Sequence, residues 1–221
     1  MTANSPATTR GGGQIDLTMM LVMHGAFRRD LGHLARAASR YRTDDPARHT
    51  AILAGWQLLK TALAFHHQGE DADLWPRMRT HLAERPDDLA LLQAMEDEHA
   101  RIDPLIAAVD GALADRGAGH ERLSDLVDAL AGGLSRHLAH EEGETLPLLS
   151  RTLTAAEWQG FVADQRRKSG IRGAAQLFPW LLDEASPDQA RAVLSQLPAP
   201  LRVVYRRIWQ SRYTGRAHWE P

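Results

Sequence analysis

The sequence predicts an all-α protein, an up-down-up-down four-helix bundle followed by a C-terminal extension of short helices. Three observations carry this expectation. Apolar residues recur at three- and four-residue spacing through the first two thirds of the 221-residue chain. Short polar, Gly- or Pro-containing connections separate those stretches, which favours antiparallel neighbours. Alternating runs that would read as strands are essentially absent.

Each element has its own signature. Helix A is expected over residues 14–41, with Leu17, Met20, Leu21, Phe27, Leu31 and Leu34 on one stripe. Helix B opens at Pro46, whose fixed φ suits a first helical turn, and continues through Ile52, Trp56, Leu59 and Leu63. A short helix over 74–82 fills the longer link that follows. Helix C spans 87–115, begins with acidic residues as the macrodipole prefers, and carries Leu92, Met95, Ile102, Ile106, Val109 and Leu113. Helix D starts near His120 and presents Leu123, Val127, Leu130, Leu134 and Leu148. Beyond it, residues 154–168, 172–184, 187–197 and 199–211 read as short helices broken by Pro179, Pro187, Pro198 and Pro200.

Charge divides the chain in the same place. Residues 1–150 carry 15 basic and 22 acidic side chains, a balance of −7, whereas residues 151–221 carry 11 and 6, a balance of +5. Eight of the thirteen aromatic residues also lie after position 150. The expected organisation is a disordered tail over 1–14, a bundle over 15–150 and a helical, aromatic-rich extension over 151–221. That extension either packs on the bundle or offers a surface for a protein partner or self-association.

Composition narrows the function. A hydrophobic fraction of 43%, a charged fraction of 24% and a net charge of −2 describe an ordinary globular chain, not a disordered one or a nucleic-acid binder held by positive charge. The polar, glycine-rich start has no apolar signal segment and no stretch is long enough to span a bilayer, so a cytoplasmic location is expected. The chain has 11 histidines and no cysteine. Disulfides, thiolate zinc sites, iron–sulfur clusters and cysteine catalysis are therefore excluded, and any metal must be held by nitrogen and oxygen.

The same intrusion interrupts all four apolar stripes. His24 lies between Leu21 and Phe27 on helix A. Helix B continues from Leu63 to His66 and Glu70, helix C places His99 between Met95 and Ile102 with Asp103 one turn on, and helix D continues from Leu134 to His137 and Glu141. Histidine followed four residues later by a carboxylate stacks both side chains on one helix face. A lone histidine on an apolar face is usually a satisfied core residue. Four of them, three with a carboxylate, would leave costly unpaired polar groups unless metal ions resolved them. Their depths along antiparallel helices bring them within a few turns of one end of the bundle. The set of His24, His66, Glu70, His99, Asp103, His137 and Glu141 is large enough for two ions and an open position; such mixed ligands suit iron, manganese or zinc.

His67 and His140 lie about 100° from the proposed ligands beside them. They are expected at the edge of the site or at the surface, as are Glu98 and Glu142. His33, His49, His81, His120 and His218 are expected to be solvated. Glu96 and His99 form a single Glu-x-x-His pair, whereas a ferritin-like centre needs two. No phosphate loop, nucleophile elbow or nicotinamide fingerprint is present.

The stretches HHQGEDADLWPRM (66–78), EHARIDPL (98–105) and HLAHEEGETLPLL (137–149), with MHGAFRRDL (23–31) before them, resemble the blocks of the hemerythrin-like HHE family. The resemblance covers about residues 15–150. It implies a four-helix bundle holding an oxo- or carboxylate-bridged non-haem di-iron centre, with His24, His66, Glu70, His99, His137 and Glu141 as ligands. Asp103 stands where oxygen-carrying members have a second helix C histidine, which argues against simple O₂ carriage. The expected ligands are O₂, peroxide or NO. An enzyme, an iron- or oxygen-responsive sensor, a storage protein and an oxidase of an organic substrate all remain open.

Overall fold

A computed structural model of the protein describes residues 15–42, 44–115 and 119–220. The tail expected over 1–14 and the side chain of His120 lie outside the described residues. All regular structure among the described residues is helical.

The elements are α1 (Thr18–Ser39), α2 (Pro46–Gly69), α3 (Trp75–His81), α4 (Pro86–Ala114), α5 (Gly119–His140), α6 (Leu146–Thr152), α7 (Ala155–Leu182), α8 (Pro187–Ser195), α9 (Ala199–Val204) and α10 (Gln210–Thr214). Prolines at the first turns of α2, α4 and α8 start those helices, and Asp45 caps α2 by accepting from the Arg48 N–H at 2.9 Å. Single π-helical turns, Glu70–Leu74 and Glu141–Thr145, join α2 to α3 and α5 to α6 without a break. The helix expected to end near Glu70 therefore continues to His81.

Helix α1 packs on α2 and α5, and α4 packs on α5 and α2, closing a ring of four long helices. Phe27, Leu34, Ile52, Trp56, Leu59, Val109, Leu123, Val127 and Leu134 fill its centre. Each such burial is worth about 1.5–3 kcal/mol. A second apolar cluster at the π-turn end joins Leu74, Trp75, Met78, Leu92, Met95 and Leu149 to Trp158 and Phe161. Leu21, expected on the inner stripe of α1, is 49% exposed. It lies about 120° around the helix from Phe27, and the buried line runs through Met20 instead.

The extension lies on α1 and α2 and shares their core. Trp180, Leu181, Val193 and Trp219 belong to the central cluster. The Trp180 Nε1–H donates to Asp30 Oδ2 at 2.7 Å, and Arg29 Nη1 donates to the carbonyls of Trp180 and Asp183 at 2.9 and 2.6 Å. The Trp219 N–H bonds the Ala51 carbonyl at 2.9 Å, with its ring over Gly55, where a Cβ would come within 2.4 Å of the indole. Only glycine leaves room for that ring. The break expected between 168 and 172 falls at Gly170, which adopts φ 59 and ψ −171, a conformation that costs little only without a Cβ, whereas the break expected at Pro179 does not occur. Pro179 sits within the second half of α7. No described helix is long and apolar enough to cross a membrane.

A capping box starts α7. Glu157 accepts from the Thr154 N–H at 2.8 Å and the Thr154 hydroxyl at 2.7 Å, and His81 Nε2 lies 2.7 Å away. These contacts, led by the Thr154 hydroxyl, hold the Glu157 carboxyl down to about 2, from an ordinary 4.5. A depressed carboxylate stabilises the fold fully above its ordinary pKa and loses that contribution as pH falls through the folded value. Glu157→Gln is therefore expected to be less stable than the parent at neutral pH and to match it near pH 2. Denaturant melts across that range would show the gap closing; a gap that persists in acid would contradict the assignment.

Candidate metal centre

Four helices deliver the histidines to one end of the ring. His24 comes from α1, His66 and His67 from the end of α2, His99 from the middle of α4 and His137 from the end of α5; all five are buried. Glu70 and Glu141 are the first residues of the two π turns. In each turn an N–H bonds the carbonyl five residues back, Trp75 to Glu70 and Leu146 to Glu141. Pro76 and Pro147 follow immediately. A proline has no N–H and its ring collides with the carbonyl four residues behind, so a widened turn just before it relieves the conflict. The same Glu-to-Pro spacing of six residues thus builds both carboxylate positions.

Two groups of donors result. His24, His66, Glu70 and Glu141 offer ligand atoms all within 4.8 Å of one another, and so do His67, His99 and His137. The Nε2 atoms of His24 and His66 face each other at 3.2 Å, as do those of His99 and His137 at 3.1 Å. The carboxylates span the two groups. Glu70 lies 3.4 Å from His66 Nε2 and 3.6 Å from His99 Nε2; Glu141 lies 3.2 Å from His24 Nε2 and 4.0 Å from His137 Nε2.

Outer carboxylates fix three of the rings. The Nδ1 atoms of His24, His99 and His137 each bond a carboxylate at 2.9 Å, from Glu142, Asp71 and Glu98 respectively. Glu98 also holds His140 Nδ1 at 2.9 Å, and Arg28 clamps Glu142 through both its oxygens at 2.7 and 2.9 Å. A carboxylate on one ring nitrogen sets the tautomer and turns the other nitrogen inward with its lone pair free. Glu98 and Glu142, expected at the edge of the site, are therefore orienting groups, and Asp71 joins them.

Burial sets the charge states, then neighbours adjust them. His66 and His67 are pushed well below the ordinary imidazole range, first by burial and then by the surrounding histidines. His137 is also lowered by burial and by His99, against the pull of Glu98. Burial opposes the charged form of His24, yet Glu141 and Glu142 outweigh it and raise the group. Glu70 is pushed well above the usual carboxylate range by burial and by adjacent Glu141. For Glu141, burial is outweighed by His24 and the other imidazoles, so it is lowered. Two buried carboxylates side by side resist being charged together, which pushes Glu70 up.

Neither oxygen of Glu70 or of Glu141 has an aligned hydrogen-bond donor, and His67 Nε2 is also buried without a partner. Leaving such atoms unpaired is expensive, and a buried charge more so. Cations among them would supply that missing partner. The pattern of the hemerythrin HHE cation binding domain matches residues 16–149. The chain belongs to the hemerythrin HHE cation-binding domain family. No curated protein and no solved structure matches it significantly.

Within this hemerythrin-like domain, the geometry separates the expected ligands. His24, His66, Glu70, His99, His137 and Glu141 converge, and Asp103 does not. Asp103 is exposed, because the buried line of α4 runs from His99 toward Ile102 and Val109, on the side away from it. His67, expected at the edge or surface, is buried and stacks on His99 with ring centroids 3.8 Å apart. The sequence held a signal for it: Leu59, Leu63 and His67 follow at four-residue intervals. His49, expected to be solvated, is buried against the Tyr41 hydroxyl at 2.6 Å. Glu96 pairs with Arg79 at 2.6 Å, away from the centre. Trp75 is fully buried in the apolar cluster at this end of the bundle.

These placements give a paired expectation. Asp103→Ala should leave the bound metal unchanged, whereas His67→Ala should weaken one ion by roughly ten- to a hundredfold. Metal titration of both variants checks this, and a larger loss at Asp103 than at His67 would reverse the assignment.

Proposed function

We propose that the chain is a non-haem di-iron protein that binds or reacts with O₂, peroxide or NO, acting in the cytoplasm. One observation carries the proposal: two histidine groups lie side by side, and both carboxylates that reach across them have orphaned oxygens. His24 and His66 would hold one ion and His67, His99 and His137 the other, with Glu70 and Glu141 reaching both. An iron pair in such a site supplies a redox-active position for a small diatomic or peroxide ligand. Manganese and zinc accept similar donors.

The chain's own residues do the rest. Cations among them would favour the charged form of both Glu70 and Glu141, so loading should release protons. Glu142, Asp71 and Glu98 keep the inner nitrogens of His24, His99 and His137 aimed at the centre. Phe27, 5.3 Å from the His66 ring, covers that ring with an apolar face. Iron-loaded protein exposed in turn to O₂, peroxide and NO should change its optical spectrum with at least one of them. No change with any of the three would overturn the proposal. Rapid, repeated consumption of peroxide would mark turnover; a single stoichiometric change would favour a sensor or store.

A further inference from the structure

A cleft of about 420 Å³ lies between the bundle and the extension and opens onto one side of this centre. Its bundle wall includes Met19, Met20, Met23 and Phe65, its extension wall includes Phe178 and Leu201, and His66 and Glu70 line its inner end. Clefts of roughly 300–1,000 Å³ hold small organic ligands, and methionine walls adapt to an occupant's shape.

His66 is the ring that differs from its counterparts. Its Nε2 faces His24 and Glu70, and its Nδ1 has no hydrogen-bond partner among the described residues. The other three rings facing across the centre each have a carboxylate on Nδ1. For His137 that carboxylate is Glu98, the residue just before His99 on the facing helix. The residue in the same place before His24 is Met23, which lines the cleft. An apolar wall therefore stands where a carboxylate would face His66, and this buried ring, at 7% exposure, lines the cleft.

We propose that the cleft binds an uncharged, largely hydrocarbon molecule bearing one hydroxyl or carbonyl oxygen, which accepts a hydrogen bond from His66 Nδ1. With Nε2 turned inward as a metal ligand, Nδ1 would carry the ring proton and act as the donor. An apolar occupant satisfies the methionine and phenylalanine walls; Asp16, Glu70 and Arg166 also line the cleft, but opposite signs share the wall, so it offers neither ionic head a site of one charge. This assignment rests on the metal reading for the donor role of Nδ1 and for what the inner end adjoins; the cleft and its apolar walls stand without it.

Calorimetric titration of the full chain with decanol, decanoate and decylammonium tests the proposal, with fluorescence of Trp158, a cleft-lining residue, as second readout. Decanol should bind one molecule per chain, about tenfold or more tighter than either ion. Met23→Glu restores the carboxylate that His137 has and should abolish decanol binding while metal content is unchanged. Ala174→Trp, which fills the cleft from the extension side, should do the same. Equal binding of the three probes, no binding of decanol, or decanol binding untouched by both variants would overturn the proposal. Metal content separates the two readings: decanol binding by a chain that loads no metal sinks the di-iron proposal alone, and metal loading without decanol binding sinks the cleft alone.

Discussion

Glu141→Ala is expected to leave the protein unable to hold two ions, with affinity for the second reduced about a hundredfold or more. Glu141 reaches His24 at 3.2 Å and His137 at 4.0 Å, so it serves both donor groups at once. Removing it leaves imidazole nitrogens facing one another at 3.1 and 3.2 Å with only Glu70 between the pairs. Glu141→Gln keeps the size and removes the charge, and should lose nearly as much if charge neutralisation holds the ions. His66→Ala should also fail to load two ions, from the cleft side of the centre. Metal analysis after gel filtration reads all three; full retention of both ions in Glu141→Ala or His66→Ala would refute the site.

The second large effect is on stability. Trp180→Ala should destabilise the chain by about 3–5 kcal/mol from lost volume alone. Trp180 is 1% exposed and packs on Phe27 with ring centroids 5.4 Å apart. Its Nε1–H also bonds Asp30, a buried carboxylate that burial already pushes upward. Leaving that carboxylate short of a donor adds about 1–3 kcal/mol. Trp180→Phe keeps much of the packing and loses the donor, so it should fall between. Urea melts followed by circular dichroism measure the differences. A loss below about 1 kcal/mol in Trp180→Ala would mean that the extension adds little to the bundle's stability.

Much of the fold was legible because its elements announce themselves chemically. Pro46 and Pro187 mark helix starts, and helical spacing of apolar residues marks every buried face of the bundle except at Leu21. The π turns were not legible, since they are defined by which carbonyl an N–H selects, and residue periodicity does not record that choice. The two at the site leave a trace in the repeated spacing from Glu70 to Pro76 and from Glu141 to Pro147; the third, Tyr205–Trp209, has no proline after it. The break at Gly170 was legible as the gap between 168 and 172, whereas α7 runs on through Pro179 where a second break was expected.

In the site, the same periodicity that picked out His24, His66, His99 and His137 also admitted Asp103 and demoted His67. A stripe three residues wide has two edges, and spacing alone does not say which edge faces inward. On α4 the inward edge lies beyond Ile102; on α2 it lies on the Leu63–His67 side. Contacts from neighbouring helices decide that, and the stacking of His67 on His99 is the visible result. The extension's part in the cleft was likewise hidden, because it depends on where α7 lands on α1 and α2.

Anaerobic reconstitution with ferrous iron, followed by metal analysis and an optical spectrum before and after oxidation, tests the di-iron proposal most directly. Two irons per chain, with near-ultraviolet absorption that appears on exposure to O₂ or peroxide, is the expected result. A chain that binds a single ion, or that prefers zinc and stays spectrally silent after oxidation, would contradict it.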